Sequence, residues 1–263
     1  MEFFQNEKYI EQLNTRLIRR ILSLQKISQM KKILILLIAT VFVSHLSYSQ
    51  GLSESVKKKF TVGVDIFTDI WQGAPDDIDL RTIHQGATAF GMFNFQLGGE
   101  DGLTSFSIGL GIRSHNMYSN SRIDDIKGDT INFTPIPGNT VYKRSKINLV
   151  YLDLPVEIKL RWKNGFKTTV GFKAGWIIDS KEKYVGDRYE EYYGNQFTYE
   201  RRVGVKEKTK ELRHLENFTY GPTLRIGYKF ISVYGYYQIS SVFKRNLGPD
   251  LAPISIGLTI TPF

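Results

Sequence analysis

The stretch "YLDLPVEIKLRW", residues 151–162, decides the fold, because its side chains alternate strictly between two files. The first file holds Leu152, Leu154, Val156, Ile158, Leu160 and Trp162, and the second holds Tyr151, Asp153, Pro155, Glu157, Lys159 and Arg161. A period of two is typical of an extended strand, whose successive side chains point to opposite faces of a sheet. Alone, the stretch predicts a half-buried strand, and the rest of the chain shows what lies against each face.

Seven more stretches alternate in the same way and bring the count to about eight strands. They are "KFTVGVDIFTDIW" from Lys59, "GATAFGMFNFQL" from Gly86, "TSFSIGLGIRS" from Thr104, "FKTTVGFKAGWII" from Phe166, "FTYGPTLRIGYKF" from Phe218, "ISVYGYYQISSVF" from Ile231 and "PISIGLTITPF" from Pro253. The connections alternate between tight turns, such as "GGEDG" and "KNG", and long segments at 72–83, 119–145 and 181–216. All short turns therefore fall at one end of the strands and all long loops at the other.

This arrangement predicts an all-β fold: an up-and-down antiparallel transmembrane β-barrel of about eight strands, with short periplasmic turns and long extracellular loops. Aromatic residues near the strand ends of the apolar files predict two interfacial girdles. The girdle at the short turns contains Phe95, Phe106, Trp162, Phe166, Tyr228 and Phe230, and the other contains Trp176, Phe218, Tyr220 and Phe243.

Composition excludes several classes of protein. The chain has no cysteine, which rules out disulfides, thiolate metal sites and a cysteine nucleophile. Its formal charge of +9 is partly carried by the N-terminal region, and the remaining balance does not predict a nucleic-acid partner. We expect no cofactor and no bound metal.

The N-terminal region has the features of an export signal. Residues 30–49, "MKKILILLIATVFVSHLSYS", have a basic head, a short apolar run and small residues before a cleavage point, which predicts a Sec signal peptide. Residues 1–29 could form a basic amphipathic helix at a membrane surface, but we expect translation to begin at Met30 and this segment to be absent from the mature protein. Residues 50–263 are then the barrel, in the outer membrane of a Gram-negative bacterium.

A family resemblance rests on the opening stretch. Leu152, Asp153, Leu154 and Pro155, together with a signal peptide ending in "SYSQ" and a C-terminal Phe263, resemble the PorT-like outer-membrane β-barrel proteins of Bacteroidota. That resemblance implies an eight-stranded barrel inserted by the barrel assembly machinery, with Phe263 as an assembly signal. Most members of the family have no established activity.

The polar files should fill the barrel interior, since a barrel of eight strands is only wide enough for its own side chains. The predicted interior charge network comprises Asp65, Asp69, Arg113, Asp153, Glu157, Lys159, Arg161, Lys167, Lys173, Arg225 and Lys229. Opposite charges shielded from bulk water are expected to pair, because an isolated buried charge is costly. A proton or ion path is the alternative. Pro155 lacks a donor for the ladder, so we predict a bulge or bend there.

No catalytic set is visible in the sequence. Ser114 and His115 are adjacent and so lie on opposite faces of a strand, and His84 and His214 fall in or beside loops. We therefore predict a non-enzymatic barrel with a structural or interaction role. The alternatives are an enzyme that modifies lipid A and a soluble lipocalin-like binder whose apolar file faces inward. The acidic residues 76, 77 and 79 are expected to be a solvated loop rather than a calcium site.

The longest loop suggests partners outside the cell. Residues 181–216 are rich in tyrosine and balanced in charge, which suits partner docking. Its "FTYERRVGVKEKT" fits equally well a strand hairpin that rises above the membrane. Arg201 and Arg202 are candidates for contact with lipopolysaccharide phosphates. We thus expect outer-membrane lipid and lipopolysaccharide as partners, and a protein partner at the loops.

Overall fold

A computed structural model of the chain describes residues 59–97, 103–193 and 198–261. The expectations for segments 1–29 and 30–49 and for Phe263 lie outside the described residues. Within the described ranges, no helix is long and apolar enough to span a membrane.

Strands account for most of the described chain. They are β1 (Phe60–Gln72), β2 (Gln85–Leu97), β3 (Thr104–Tyr118), β4 (Ser121–Ile123), β5 (Phe133–Pro135), β6 (Tyr142–Arg161), β7 (Phe166–Tyr193), β8 (Thr198–Lys210), β9 (Phe218–Tyr228), β10 (Ile231–Tyr237) and β11 (Ala252–Ile260).

Eight of these strands form a closed antiparallel barrel, as the sequence predicts. The main sheet runs in the order β6, β3, β2, β1, β11, β10, β9, β7 and β8, and pairing of β6 with β7 closes it. The first and last strands meet side by side, from the pair Val64–Ile260 to the pair Gln72–Ala252. The strands β4 and β5 make a separate small hairpin, and β8 lies beside the upper part of β7 outside the closed ring.

The apolar files face outward and the polar files face inward. Leu154 is 46% exposed, whereas the neighbouring Asp153 is 1% exposed. The same alternation runs along the other barrel strands, for example from Ile66 and Leu258 outside to Asp65 and Thr259 inside. A continuous band of exposed apolar side chains is what a lipid-facing surface requires. The lipocalin-like alternative is therefore wrong, since it needs the apolar file inside.

Aromatic side chains lie near both ends of the band. Trp162 and Phe166 meet at the short-turn end with ring centroids 5.2 Å apart, and Trp176 and Phe218 meet at the other end, also at 5.2 Å. Phe243 departs from the predicted girdle, because it is 1% exposed and packs under the external loops. It follows β10 in an irregular segment, where the alternation that placed it outside no longer applies.

The structure has no bulge at Pro155, so the bulge that was predicted there, as one of two possible distortions, is wrong. The register of β6 with β7 runs without a shift from the pair Tyr151–Ile177 to the pair Arg161–Lys167. On the β3 side, the pairs stop at Ile108–Val156 and resume at Gly111–Asp153 in the same register. The missing N–H group of a proline faces only one neighbouring strand. The strand β6 therefore loses hydrogen bonds on the β3 side alone and needs no extra residue.

A register shift does occur four residues away from this proline. Val150 pairs with Asp179, but Tyr151 pairs with Ile177, so Ile178 is an extra residue in β7. A bulge of this kind reverses which side chains of a strand face outward. Above this point the odd-numbered residues of β7 take the outer face, and the strand continues far above the barrel.

The longest predicted loop is largely a strand hairpin. The strands β7 and β8 pair continuously from Lys181–Lys210 to Tyr193–Thr198. Of the two interpretations that the sequence left open, the rising hairpin is the observed one, and it leaves the far edge of β8 unpaired within the described sheet.

Candidate functional site

A buried ion pair lies at the centre of the barrel. Arg113 is fully buried, and its Nε lies 2.9 Å from Oδ2 of Asp153. The ammonium of Lys173 lies 3.5 Å from the same oxygen. The ring centroids of Tyr151 and Tyr236 are each 4.8 Å from the guanidinium carbon of Arg113. Paired charges and aromatic faces together offset the cost of removing the guanidinium from water.

His115 extends this network, and both of its ring nitrogens are engaged. Nη1 of Arg113 lies 2.9 Å from Nε2 of His115, and a guanidinium can only donate. Nε2 must therefore accept, so the proton is on Nδ1, which donates to Asp69 at 2.7 Å. Ser255 donates to the other oxygen of Asp69 at 2.6 Å. Ser114 lies on the opposite face of β3, so no serine nucleophile reaches this histidine from its own strand.

A second network lies nearer the short turns and centres on Arg225. Its Nη2 is 3.0 Å from Asp65, and its Nη1 is ion-paired with Glu157. Thr259 accepts from Nε of Arg225 at 3.0 Å and donates to Asp65 at 2.6 Å. The ring centroid of Tyr234 is 5.0 Å from the guanidinium carbon. One arginine therefore holds two carboxylates that belong to different strands.

Glycines make room for these side chains. A Cβ added to Gly175 would lie 2.4 Å from Oδ1 of Asp153 and 2.8 Å from Nη2 of Arg113. The outward-facing Gly91, by contrast, has no atom within 4 Å of such a Cβ. Gly175 in β7 is thus required for the central ion pair, whereas Gly91 has space around it.

The structure places the predicted interior residues as follows. Asp65, Asp69, Arg113, Asp153, Glu157, Lys159, Lys173 and Arg225 are buried in the barrel, and Arg161 and Lys167 are half-buried near its short-turn end. Lys229 is a correction: it is exposed, with φ of 50°, in the tight turn between β9 and β10. The strand had already ended there, so the alternation that assigned it to the interior did not apply. Of the resemblance motif, Leu152 and Leu154 face outward, while Asp153 and Pro155 face inward.

Three cations below Arg225, namely Lys159, Arg161 and Lys167, have no carboxylate of their own. Lys159 donates to Thr61 at 3.1 Å and to Asn94 at 3.0 Å, and Lys167 donates to Thr261 at 2.6 Å. These residues line a cavity of about 410 Å³ at the short-turn end. Glu157 is the one carboxylate among its described lining residues, and Arg225 already holds it.

The opposite end of the barrel is covered by an apolar core. Inward residues of β6 meet residues from the external loops, and backbone bonds tie the loops together, for example Ile131 N–H to Leu247 O at 2.8 Å. The buried members are Trp71, Met117, Ile123, Ile126, Ile131, Ile147, Leu149, Tyr151, Leu212, Leu215, Val242, Phe243 and Leu251. Burial of apolar side chains here stabilises a folded external cap directly above the polar network.

Lysines cover the outer face of the sheet just above the lipid-facing band. Lys146, Lys183 and Lys208 form a row across β6, β7 and β8, and Lys181 pairs with Lys210 beside it. Burial, together with repulsion from neighbouring cations, lowers the pKa of Lys146 and of Lys183. We call these five lysines the basic face. Among the described neighbours, Asp179 is the acid that meets it, through an ion pair with Lys181.

The other candidate ligands and bases are engaged in the loops. Nδ1 of His84 accepts from the backbone N–H of Tyr118 at 2.9 Å, and Nε2 of His214 donates to Gly128 O at 2.9 Å. Asp79 accepts from the amide of Asn120 at 3.2 Å. Over the described ranges, no three His, Asp or Glu side chains come close enough to hold a metal ion.

The sequence interpretation missed the tyrosines of the network and the apolar cap. Tyr234 and Tyr236 share the inward phase of Ser232, and this spacing was a usable signal. Tyr151 was placed in the polar file without a role. The cap offers no comparable signal, because its residues come from irregular loops that meet only in the folded chain.

A family model for outer-membrane barrels matches most of the chain. Residues 48–244 match the family model described as "Outer membrane protein beta-barrel domain". No curated protein matches. Among solved structures, Ail, the attachment invasion locus protein of Yersinia pestis in complex with the heparin analogue sucrose octasulfate, is 9% identical, and the match covers 77% of this chain and 97% of that one with a TM-score of 0.34. A triple mutant of the Rhodopseudomonas blastica porin is 6% identical, with coverages of 77% and 99% and a TM-score of 0.20.

Proposed function

The chain belongs to the outer membrane protein β-barrel domain family, and we propose that it is a sealed, non-enzymatic barrel that binds lipopolysaccharide at its outer rim and presents its long hairpin to a protein partner. The observation that carries this proposal is the distribution of charge. Inside the barrel, opposite charges are paired around Arg113 and Arg225, whereas on the basic face like charges lie side by side. The like charges of the basic face therefore lie outside the barrel, where a partner can reach them.

The interior favours a structural role over transport or catalysis. Its central charges are held by ion pairs, and the external end is covered by the apolar core. A catalytic base needs a free acceptor within reach of the reacting proton. Nε2 of His115 already accepts from Arg113, which argues against the lipid A-modifying alternative.

The basic face lies at the right height for phosphate groups of the outer leaflet. Lys181 follows the lipid-facing Ile178 by three residues, a rise of roughly 10 Å along a strand. Like charges directly opposite each other destabilise a sheet, so the row Lys146–Lys183–Lys208 costs energy unless an anion neutralises it. Lipid A phosphates supply that charge in the outer leaflet. The earlier candidates Arg201 and Arg202 lie farther up the hairpin and are not needed for this contact.

The hairpin edge supports docking of a protein partner. Within the described sheet, β8 pairs with β7 alone, and its outer edge leaves backbone groups available for strand addition. Lys206 and Lys208 are exposed along it, which favours an acidic partner strand. We also propose that the chain is a PorT-like member, on the motif at 152–155, and that it is exported through the signal peptide at 30–49 and inserted by the barrel assembly machinery.

Binding to lipopolysaccharide tests the proposal. We expect the triple variant Lys146→Gln, Lys183→Gln, Lys208→Gln to bind purified lipopolysaccharide at least tenfold more weakly than the parent, because about 1.4 kcal/mol corresponds to a factor of ten and three charge contacts are lost. The control is Lys127→Gln, Lys143→Gln, Lys244→Gln, which removes three exposed lysines away from the basic face. Affinity is measured by calorimetry in an uncharged detergent. Equal weakening by the two triple variants would count against a specific basic face.

A further inference from the structure

We propose that the cavity at the short-turn end is a binding site for a soluble phosphate compound from the periplasm, a phosphate monoester or a pyrophosphate. This site lies at the opposite end of the barrel from the basic face and is independent of it. It is formed by inward-facing residues of β2, β6, β7, β9, β10 and β11 and by the turns that connect the strands.

Unneutralised positive charge is the first observation. Arg161 and Lys167 are direct cross-strand neighbours on the inner face, and Lys159 lies two residues away on the same face. Within the described part of the chain, none of the three is ion-paired with a carboxylate, and the guanidinium of Arg161 has no hydrogen bond. Two like charges held opposite each other are destabilising, and a bound dianion would reverse the sign of that interaction.

The donors in the cavity match a phosphoryl group. A guanidinium offers paired N–H groups that fit phosphate oxygens, and ammonium groups add point charges. Hydroxyl groups of Ser232, Thr259 and Thr261 line the same cavity. A phosphoryl group presents three acceptor oxygens, so it can be bound by several of these donors at once.

The size of the cavity indicates more than a bare ion. A volume of about 410 Å³ lies in the range of sites that hold small organic molecules. Phe90 provides an apolar wall beside the cations, and Trp162, Phe166 and Phe230 border the cavity at the short turns. The site therefore fits a phosphate group together with the body of a small molecule, or a second phosphate.

The closed wall of the barrel indicates that this ligand comes from the aqueous periplasm rather than from the membrane. The cations face inward, whereas phospholipids of the inner leaflet contact the outward file that includes Leu160 and Val170. Turn residues such as Gly165 and Phe230 border the cavity, so its access is from the aqueous side of the short turns. Arg225 and Glu157 form the floor, and the apolar core covers the far end of the barrel.

Calorimetric titration of the full barrel with inorganic pyrophosphate tests this site. In a low-salt chloride buffer and an uncharged detergent, the parent should bind pyrophosphate saturably, and the double variant Arg161→Gln, Lys167→Gln should bind at least tenfold more weakly. The matched control, Lys127→Gln, Lys244→Gln, removes two exposed lysines that belong neither to the cavity nor to the basic face, and should bind as the parent does. Folding of each variant is checked by its heat-dependent shift in gel migration.

A second measurement keeps the test independent of variant yield. Pyrophosphate should raise the urea midpoint of unfolding of the parent and of the Lys127→Gln, Lys244→Gln control, but not that of the single variant Arg161→Gln, because a ligand stabilises the state that binds it. Absence of saturable pyrophosphate binding by the parent would overturn the proposal. Equal affinity in the two double variants would also overturn it, as would binding of short-chain phosphatidylglycerol without binding of pyrophosphate.

Discussion

Replacing Arg113 with glutamine is expected to lower the free energy of unfolding of the barrel by about 3–5 kcal/mol, because it leaves Asp153 buried without its main counter-charge. The side chain is fully buried and also provides a donor to Nε2 of His115. The change is measured by reversible urea unfolding in phospholipid vesicles. The matched variant Arg144→Gln removes an exposed arginine from the same protein and should change stability by no more than about 0.5 kcal/mol.

A double-mutant cycle separates the ion pair from general packing. The variant Arg113→Gln, Asp153→Asn removes both charges, so its loss should be clearly smaller than the sum of the two single losses. Additive losses would show that the pair contributes little as a pair, and a loss at Arg144 equal to that at Arg113 would contradict a central role for this arginine.

Gly175→Ala is the second change with a large expected effect, about 1–3 kcal/mol of destabilisation. The added methyl group would lie 2.4 Å from Oδ1 of Asp153 and 2.9 Å from the hydroxyl of Thr219, so the ion pair has to open. The same urea titration provides the measurement.

Gly91→Ala is the control for this substitution, because a Cβ there has no atom within 4 Å. It should be neutral or slightly stabilising, since alanine restricts the unfolded chain more than glycine does. Equal destabilisation by the two substitutions would show that backbone freedom, rather than space inside the barrel, is what Gly175 provides.

The strands could be predicted from the sequence because alternation is a local property. Each apolar file, such as that from Leu152 to Trp162, is set by the requirement that one face meets lipid and the other a narrow interior. The closed barrel could be predicted from eight such apolar files and from the lengths of the segments that connect the strands. The predictions failed where the alternation stops: Lys229 lies in a turn, and Phe243 lies in an irregular segment under the loops.

Pro155 and the bulge at Ile178 show a second limit. A missing donor is visible in the sequence, but whether the strand responds by losing a bond or by gaining a residue depends on both neighbours. The charged site shows the same limit. The alternation within each strand predicts that the charges face inward. Which charges pair and which stay without a counter-charge depends on the register between strands that are distant in sequence, as for Asp65 in β1 and Arg225 in β9.

The most direct test of the account is nuclear magnetic resonance of the isotope-labelled barrel in detergent micelles, with detection of nuclear Overhauser effects between acyl-chain protons and protein methyl groups. We predict acyl-chain contacts to methyl groups of the outward files, including Leu110, Leu154, Ile158 and Leu258, and none to Ile131, Ile147 or Leu149 of the apolar core. Acyl-chain contacts to the core residues, or their absence along the outward files, would contradict a sealed barrel whose apolar files face lipid.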